Sequence, residues 1–380
     1  MKKAAIILPT YNEGKNIEKV IEQLFAVAAG IPNWGIHVVV VDSSSPDGTG
    51  QIVEEMRKRK NKYRDLHVLH TKKEGLGKAY THGFTYAIEK IKPFVLFEMD
   101  SDLSHNPQDI PLFLKKIEEG ADFVVGSRYI PGGSIPSNWP LQRKILSTTA
   151  NLFIRLGFMK LRITDWTNGY RAIKTWVVQK SLKNIEGHTG YVFQIALLDN
   201  ALKNSAIIRE IPNKFIDRTE GESKINSGQY ITDIIFYILQ NSSFIKFCIV
   251  GGSGFIVDFG FAYTFIHTFN LPKVVSNMLS AEIAIISNFF LNNYWSFAHK
   301  KIGERTSLLK SVLKFNLVSS GSILIQGVGM WLALTLLGDH VFRVGNMESH
   351  TWIIYKIGII LLIVIPYSYF FYNRFVWKEK

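Results

Sequence analysis

The sequence predicts an α/β domain with a mostly parallel sheet, followed by an all-α membrane domain, and two observations place the division near residue 230. Before that point, apolar runs alternate with amphipathic segments, as strands and helices do around a parallel sheet with helices on both faces. After it, four apolar stretches follow in succession, each long enough to cross ~30 Å of hydrocarbon as a helix. Four such stretches in a row disfavour buried core helices.

The elements of the first domain follow in order along the chain. The predicted strands are AAIIL, HVVVVD, LHVLH, FVLFEMD and DFVVGS. Apolar residues at helical spacing predict the helices between them, at 16–29, 51–60, 78–89 and 108–119. Ligands of open parallel sheets bind at the carboxyl ends of the strands. Three of these runs end in Pro9, Asp42 and Asp100, so we expect a ligand site there.

The second half predicts four spans and their orientation. The spans are expected at about 244–267, 274–297, 311–337 and 352–373. Basic residues concentrate in the loop between the second and third spans and at the C-terminus, namely Lys300, Lys301, Arg305, Lys310, Lys314, Arg374, Lys378 and Lys380. The positive-inside rule therefore predicts cytoplasmic termini and a cytoplasmic first domain on a multi-pass membrane protein.

A short segment joins the two halves. Its apolar residues recur at helical spacing on one face, at Ile231, Ile234, Ile235, Ile238 and Leu239. We interpret it as an interfacial amphipathic helix, with a plain helical linker as the alternative. The predicted domains are therefore 1–228, 229–242 and 243–380.

The glycine-rich stretch GGSGFIVDFG, at 251–260, lies inside the first span. It is similar to a dinucleotide-binding loop, but no strand precedes it, so close helix packing by small residues is the better interpretation. Asp258 is different, because an ionisable side chain at membrane depth normally faces a partner or a polar cavity. Structural and transport roles both remain open for Asp258.

Composition narrows the class of partner. Lys and Arg exceed Asp and Glu by 44 to 31, and 47% of residues are hydrophobic, which fits phosphates or a membrane surface. No nucleic-acid-binding pattern accompanies this charge, so nucleic acid is not an expected partner. The single Cys248 excludes an internal disulfide and a zinc cluster built on thiolates. The histidines show no ligand spacing such as HExxH.

Carboxylates and an aromatic ring follow the predicted strands. LPTYNE places Tyr11 and Glu13 after the first strand, and FEMDSD places Asp100 and Asp102 one residue apart after the fourth. A ring can stack on a base, and carboxylates can accept hydrogen bonds from a base or a ribose. Taken singly, each of these is an ordinary turn at a strand end, and only their order along the chain makes them informative.

That order resembles a known family. The motifs are LPTYNE, SPDGT, GLGKAYTHGF, MDSDLSHNP, GSRYIPGG, TDWTNGYRA, GYVFQ and RTEGESK. Together they look like the dolichol-phosphate mannose synthases, which are family 2 glycosyltransferases of the Rossmann-like GT-A fold. The similarity spans nearly all of residues 1–230. The membrane half resembles the GtrA-like four-helix domain, in KFCIVGGSGFIVDFG and SNFFLNNYWSF.

The resemblance implies a reaction. In this family a sugar, usually the mannose of GDP-mannose, moves to the phosphate of dolichol or another polyprenol, with inversion at the anomeric carbon. A divalent cation, Mg²⁺ or Mn²⁺, neutralises the leaving nucleoside diphosphate, and both ions prefer oxygen ligands. Another donor such as UDP-glucose is the nearest alternative. A lipid-linked sugar translocator or a scaffold with a nucleotide-binding domain is the alternative from another class.

The resemblance also implies site residues. Asp102 is the first metal ligand, with Asp100 beside it and Ser104 as a third candidate. Asp102, Arg128 and Arg218 are the candidate catalytic residues. The expected nucleotide-sugar contacts are Pro9, Tyr11, Glu13, Val40, Asp42, Asp100, Ser101, Asp102, Arg128, Arg218 and Lys224. The candidates for the acceptor phosphate or its lipid are Ser134, Arg143, Asn168 and Arg171. From its mixture of aromatic, basic and apolar residues, and not from the resemblance, the stretch 132–158 is expected to border the membrane and guide the acceptor, with a surface loop and helix as the alternative.

Departures from the family pattern limit these expectations. Ser43 stands where a second aspartate often follows the one matching Asp42, and Ser104 stands where Gln or Ser is common. Ala196 stands where many members carry a glutamate, which argues against an acid–base or acceptor-positioning role at that position. QRK at 142–144 lacks the QxxRW pattern of processive synthases, so polymer synthesis is disfavoured. The sugar, the polyprenol and the oligomeric state are not specified.

Overall fold

The structure is a computed structural model that describes residues 1–59, 61–188, 190, 192–217, 227–344 and 347–377. The chain forms two compact units, Met1–Ile238 and Leu239–Lys380. The first unit carries the predicted sheet, and the second carries the apolar helices.

A seven-stranded sheet runs through the first unit, in the order β3-β2-β1-β4-β6-β5-β7. Its strands are β1 (Lys2–Thr10), β2 (Trp34–Asp42), β3 (Leu66–His70), β4 (Val95–Glu98), β5 (Phe123–Ser127), β6 (Arg171–Lys174) and β7 (Ile208–Pro212). All neighbouring pairs are parallel except those of β6, which runs antiparallel to both β4 and β5. The prediction of a mostly parallel sheet is therefore confirmed.

Helices cover the two faces of this sheet, and those that contact its strands are α1 (Ile17–Ala29), α2 (Thr49–Lys58), α3 (Leu76–Tyr86), α4 (Ile110–Glu118) and α6 (Thr175–Ile185). The other helices are α5 (Leu141–Phe158), α7 (Val192–Lys203) and α8 (Ser227–Asn241), and α8 begins in the first unit and ends in the second. Alternate residues of β1 serve opposite faces. Ile6 lies in the hydrophobic core built with α1, α2 and α4. Ile7 points to the other face, where Gly83 lets α3 approach so closely that a Cβ there would also meet Val41 at 3.0 Å.

The second unit consists of long apolar helices. Their bounds are α9 (Ser243–His267), α10 (Lys273–Leu291), α11 (Arg305–Leu337), α12 (Thr351–Ile359) and α13 (Ile365–Phe371). With their π-helical extensions they give four candidate membrane spans, Ser243–His267, Lys273–Ser296, Ser307–Leu337 and Thr351–Val376. The four predicted spans are thus confirmed. A short antiparallel pair of strands, β8 (Val341–Val344) and β9 (Met347–His350), lies between the third and fourth spans, where no strand was predicted.

Small and polar side chains line the contact between α9 and α10. Ser280 Oγ donates to Asp258 Oδ1 at 2.5 Å, so the carboxylate within the first span has a partner on the next helix. A Cβ on Gly254 would collide with the Asn288 amide, whereas one on Gly252 would meet no described atom within 4 Å. Close helix packing at Gly254 therefore agrees with the interpretation of the glycine-rich stretch.

Candidate active site

The strand order locates a crevice at the carboxyl ends of β1 and β4. From β1 the chain moves outward to β2 and β3, and it then returns to β4 on the opposite side of β1. Ligands of open α/β sheets bind at such a switch point. Ser101 Oγ, just after β4, donates to the Pro9 carbonyl oxygen at 3.0 Å, which joins the two strand ends. Both residues belong to the predicted site.

A tight turn after β4 carries the paired aspartates. Ser104 N donates to Asp102 Oδ1 at 3.0 Å, and Leu103 between them has a φ of 66°, in the left-handed region. The Asp100 side chain is 39% exposed, whereas Asp102 is only 7% exposed. The turn therefore presents one accessible carboxylate and one largely enclosed carboxylate to the crevice.

The donor set of this turn suits a hard divalent cation. Asp100 and Asp102 supply carboxylate oxygens, and the buried Ser104 Oγ has no hydrogen-bond partner among the described residues. No cluster of three or more His, Cys, Asp or Glu side chains able to hold an ion occurs in the described ranges. Mg²⁺ commonly takes one or two carboxylates and completes its shell with substrate phosphates and water. The residues present therefore fit such an ion when a diphosphate completes the shell.

Asp42 ends β2 on the neighbouring side of the crevice. Its carboxylate accepts hydrogen bonds from Thr10 Oγ1 at 3.1 Å and from Ser45 N at 3.1 Å, and it lies 3.9 Å from His70 Nδ1. Asp42 is 2% exposed, so this carboxylate organises the turn that follows β2. A nucleotide contact through Asp42 stays a prediction.

Two turns beside the crevice are tied together by an aspartate that we did not single out from the sequence. Asp47 accepts from Gly14 N at 2.9 Å and from Thr49 N at 3.0 Å, and Thr49 Oγ1 in turn accepts from Glu13 N at 3.0 Å. Burial alone would raise the pKa of Asp47, but these hydrogen bonds outweigh it and hold the pKa below its ordinary value. The motif SPDGT thus fixes the backbone that bears Glu13.

Tyr11 and Val40, both expected to contact the nucleotide, lie in different environments. The ammonium of Lys73 lies 3.6 Å from the centre of the Tyr11 ring, so a cation occupies one face of the predicted stacking platform. Val40 is fully buried in the core and pairs with Leu8 and Val68 in the middle of the sheet. The Val40 side chain is thus enclosed by the sheet, and a nucleotide contact at this residue stays a prediction.

Arg128 forms a buried ion pair that the sequence did not indicate. Its Nε and Nη2 donate to the two carboxylate oxygens of Asp165 at 2.7 and 2.8 Å, and Nη2 also donates to Thr167 Oγ1 at 2.8 Å. The two side chains are 8% and 0% exposed. Burial would lower the pKa of Arg128, but the charge of Asp165 outweighs it, so the pKa lies above its ordinary value and the guanidinium stays charged. The only sequence signal for Asp165 was its place in TDWTNGYRA.

Arg171 and Asn168 are not surface groups, which corrects their assignment to the acceptor. Arg171 is fully buried and donates to the carbonyl oxygens of Asn168, Gln194 and Trp166 at 2.6 to 2.8 Å. Its Nη1 lies 3.6 Å from Oε2 of the buried Glu98 carboxylate. Burial raises the pKa of Glu98 to about 8, because this cation only partly offsets the loss of water. Both residues brace the fold beneath the crevice.

The remaining acceptor candidates lie on accessible segments. Ser134 is exposed, and its N donates to the Asn213 carbonyl oxygen at 3.1 Å. Arg143, in the first turn of α5, lies over the Trp139 ring at 3.8 Å and 3.7 Å from Asp217, with 42% of its side chain exposed. Contact of either with the acceptor stays a prediction. The predicted phosphate contacts Arg218 and Lys224 lie outside the described residues.

Family comparisons define the class of protein that carries this fold and site. The family model described as "Glycosyl transferase family 2" matches residues 5–185, which hold β1 to β6 and the paired aspartates. The model described as "GtrA/DPMS, transmembrane domain" matches residues 246–377, which hold the apolar helices. The protein is therefore a membrane-bound glycosyltransferase of GT-A fold.

Individual relatives narrow this class to a family. Over 354 residues the chain is 32% identical to a dolichol-phosphate mannosyltransferase from Pyrococcus furiosus, covering 91% of this chain and 94% of that protein. It is 37% identical over 240 residues to a polyprenol monophosphomannose synthase from Mycolicibacterium smegmatis, covering 63% and 86%. It is 39% identical over 224 residues to an undecaprenyl-phosphate mannosyltransferase from Micrococcus luteus, covering 58% and 87%. The chain belongs to the dolichol-phosphate mannosyltransferase family, as the motifs predicted.

Solved structures are more distant. The crystal structure of glucosyl-3-phosphoglycerate synthase from Mycobacterium tuberculosis with Mn²⁺ and UDP-glucose aligns with a TM-score of 0.46 at 17% identity. The alignment covers 63% of this chain and 79% of that chain.

Proposed function

We propose that this protein transfers mannose from GDP-mannose to the phosphate of dolichol or a related polyprenol, at the cytoplasmic face of the membrane and with Mg²⁺ or Mn²⁺. The observation that carries the proposal is the position of Asp100 and Asp102, on one turn at the switch point of the sheet. Family membership supports the sugar and the class of acceptor. The relatives are named for dolichol, polyprenol and undecaprenol, so the polyprenol itself is left to assay.

The proposed transfer reaction does not need a strong general base. An oxygen of the acceptor phosphate attacks the anomeric carbon, the bond from that carbon to the diphosphate oxygen breaks, and the electron pair leaves with GDP. The nucleophile is already an anion near neutral pH, so no proton has to be removed from it. The fully buried Ala196, where relatives often have a carboxylate, fits this demand. Positioning and charge stabilisation then dominate the catalysis.

The charges at the crevice serve the leaving group. Asp100 and Asp102 would hold the divalent cation, which when bound neutralises the diphosphate. Arg128 adds a fixed positive charge. Its Nε and Nη2 are used on Asp165 and Thr167, so Nη1 is the donor that we assign to a phosphate oxygen. Because Asp165 fixes the guanidinium from one side, this charge needs little reorganisation during the reaction.

Two helices of the first unit present apolar side chains that suit a membrane surface. On α5 the exposed ones are Leu141, Ile145, Leu146, Leu152, Phe153 and Leu156. On α8, Ile234 and Ile238 are buried, while Ile231, Ile235 and Phe236 are exposed. We propose that both helices lie at the interface, with 1–228 as the catalytic domain, 229–242 as the interfacial segment and 243–380 as the anchor. A lipid acceptor cannot leave the bilayer, so such contacts keep the crevice within its reach.

A binding and transfer assay tests this function. Purified full-length protein is titrated with GDP and with UDP in the presence of Mn²⁺, and transfer is then compared between a long polyprenyl phosphate and a water-soluble short-chain prenyl phosphate. We expect tighter binding of GDP and faster transfer to the long acceptor. Tighter binding of UDP would refute the donor, and equal efficiency with both acceptors would refute the role of the lipid.

A further inference from the structure

We propose that Asn168 is a positioning residue that, through His105, holds the turn bearing Asp100 and Asp102 in register with Arg128. The inference rests on the proposed function, which assigns the binding of the diphosphate to these charges. It assigns a task to two polar side chains that are almost fully enclosed and that the transfer chemistry does not use. Asn168 is 2% exposed and His105 is 0% exposed.

His105 connects the aspartate turn to Asn168. Its Nδ1 accepts a hydrogen bond from the backbone N of Asp100 at 3.0 Å, so in the neutral ring the proton is on Nε2. Nε2 lies 3.1 Å from Asn168 Oδ1, the distance of a donated hydrogen bond. The ring stacks on Tyr170 with centroids 4.8 Å apart and an interplanar angle of 12°. Packing on Tyr170 thus holds the ring in place, and its two nitrogens join the backbone of Asp100 to the side chain of Asn168.

Asn168 connects His105 to the ends of two other strands. Its Nδ2 donates to the Gly126 carbonyl oxygen in β5 and to Asn213 Oδ1, just after β7, at 3.1 Å. Its backbone N donates to Asp165 Oδ1 at 3.1 Å. The side chain of Asn168 therefore joins the aspartate turn to the sheet. The backbone of Asn168 also donates to Asp165, the residue that forms the ion pair with Arg128.

The result is a continuous path from the paired aspartates to the cation. It runs from Asp100 through His105, Asn168 and Asp165 to Arg128, and each link is a hydrogen bond of 2.7 to 3.1 Å. Loss of the Asn168 amide would leave His105 Nε2 without its partner in a place that water hardly reaches. Small displacements of positioned groups reduce catalysis strongly. We therefore expect the loss to appear in diphosphate binding as well as in stability.

The test measures GDP affinity of the full-length protein in detergent with Mn²⁺, by calorimetry and without turnover. Asn168→Ala removes the amide, and His105→Phe keeps a ring on Tyr170 while removing both nitrogens. Both variants lose the hydrogen bond between His105 and Asn168, and each should weaken GDP binding by about tenfold, which corresponds to about 1.4 kcal/mol. The double variant should bind about as weakly as either single variant, because both cut the same link.

Asn200→Ala is the matched control. Asn200 is 7% exposed in α7, and its amide bonds to the Ala196 carbonyl oxygen and to Asn184 rather than to any residue of the path. It should lower the melting temperature and leave GDP affinity unchanged. Equal GDP affinity in Asn200→Ala and Asn168→Ala would overturn the proposal, as would losses that multiply in the double variant.

The outcomes also separate this inference from the proposed function. If the wild type binds UDP instead of GDP, the donor is wrong, and the same comparison made with UDP decides the role of Asn168. If the wild type binds neither nucleotide, both proposals fall. If Asn168→Ala does not fold, His105→Phe decides alone: wild-type affinity in that variant refutes the path, and a tenfold loss supports it.

Discussion

Replacing Asp165 by asparagine should destabilise the protein strongly. The carboxylate accepts from Arg128 Nε and Nη2 at 2.7 and 2.8 Å and from Arg128 N at 3.1 Å, and neither side chain is more than 8% exposed. Asp165→Asn keeps the shape but leaves a buried guanidinium without its counter-charge. Breaking a buried ion pair in this way costs about 3 to 5 kcal/mol. For a unit of this size the melting temperature should fall by about 6 to 20 °C.

The assay is thermal unfolding of the purified full-length protein in detergent, followed by tryptophan fluorescence. Arg128→Gln should also destabilise, because it leaves the Asp165 carboxylate unpaired. The double variant Arg128→Gln/Asp165→Asn should lose less stability than the sum of the two single losses, since it buries no unpaired charge. A melting temperature within 2 °C of the wild type for Asp165→Asn, or strictly additive losses, would refute the coupling.

Three further outcomes follow. Asp102→Asn should lower the transfer rate about a hundredfold or more, and chelation of divalent cations should do the same to the wild type; near wild-type turnover in either case would rule out a metal held at this turn. Asp122 has a pKa held below its ordinary value despite burial, by hydrogen bonds that include one from Lys174 at 2.9 Å, so it stabilises the fold above the unfolded pKa. The melting-temperature gap between wild type and Asp122→Asn should therefore be constant above pH ~5 and shrink as the pH falls below ~4, and a gap that widens in acid would contradict this assignment. Gly254→Ile should force α9 and α10 apart and lower thermal stability in detergent, while Gly252→Ile should be silent; equal effects would argue against tight packing at Gly254.

Much of the fold followed from the sequence because apolar runs and strand-end residues are local signals. Five strands and four spans were predicted from continuous apolar stretches. The antiparallel β6 was not, since its four residues, Arg171–Lys174, begin with a buried arginine and show no period. The pair of strands β8 and β9 was missed for a similar reason, because two four-residue strands are too short to stand out.

The sequence predicted the position of the site, but it did not predict the ion pairs that its arginine side chains form. Strand ends meet in a parallel sheet, so Pro9 and the paired aspartates could be assigned to one crevice. The ion-pair partners of Arg128 and Arg171 could not be predicted, because these partners are far away along the chain. Asp165 is 37 residues from Arg128, and Glu98 faces Arg171 across β4 and β6. The spacing of motifs does not reveal such pairs. For this reason the buried Arg171 and Asn168 were predicted to contact the acceptor.

The central claim is the identity of the transferred group and its donor, and one measurement tests it most directly. Full-length protein is incubated with a fixed polyprenyl phosphate, Mn²⁺ and a panel of nucleotide sugars, and the lipid-linked product is identified by mass spectrometry. We predict a polyprenyl-phosphate hexose formed fastest from GDP-mannose and lost in Asp102→Asn. A product formed faster from UDP-glucose, or no lipid-linked sugar from any donor, would contradict the account.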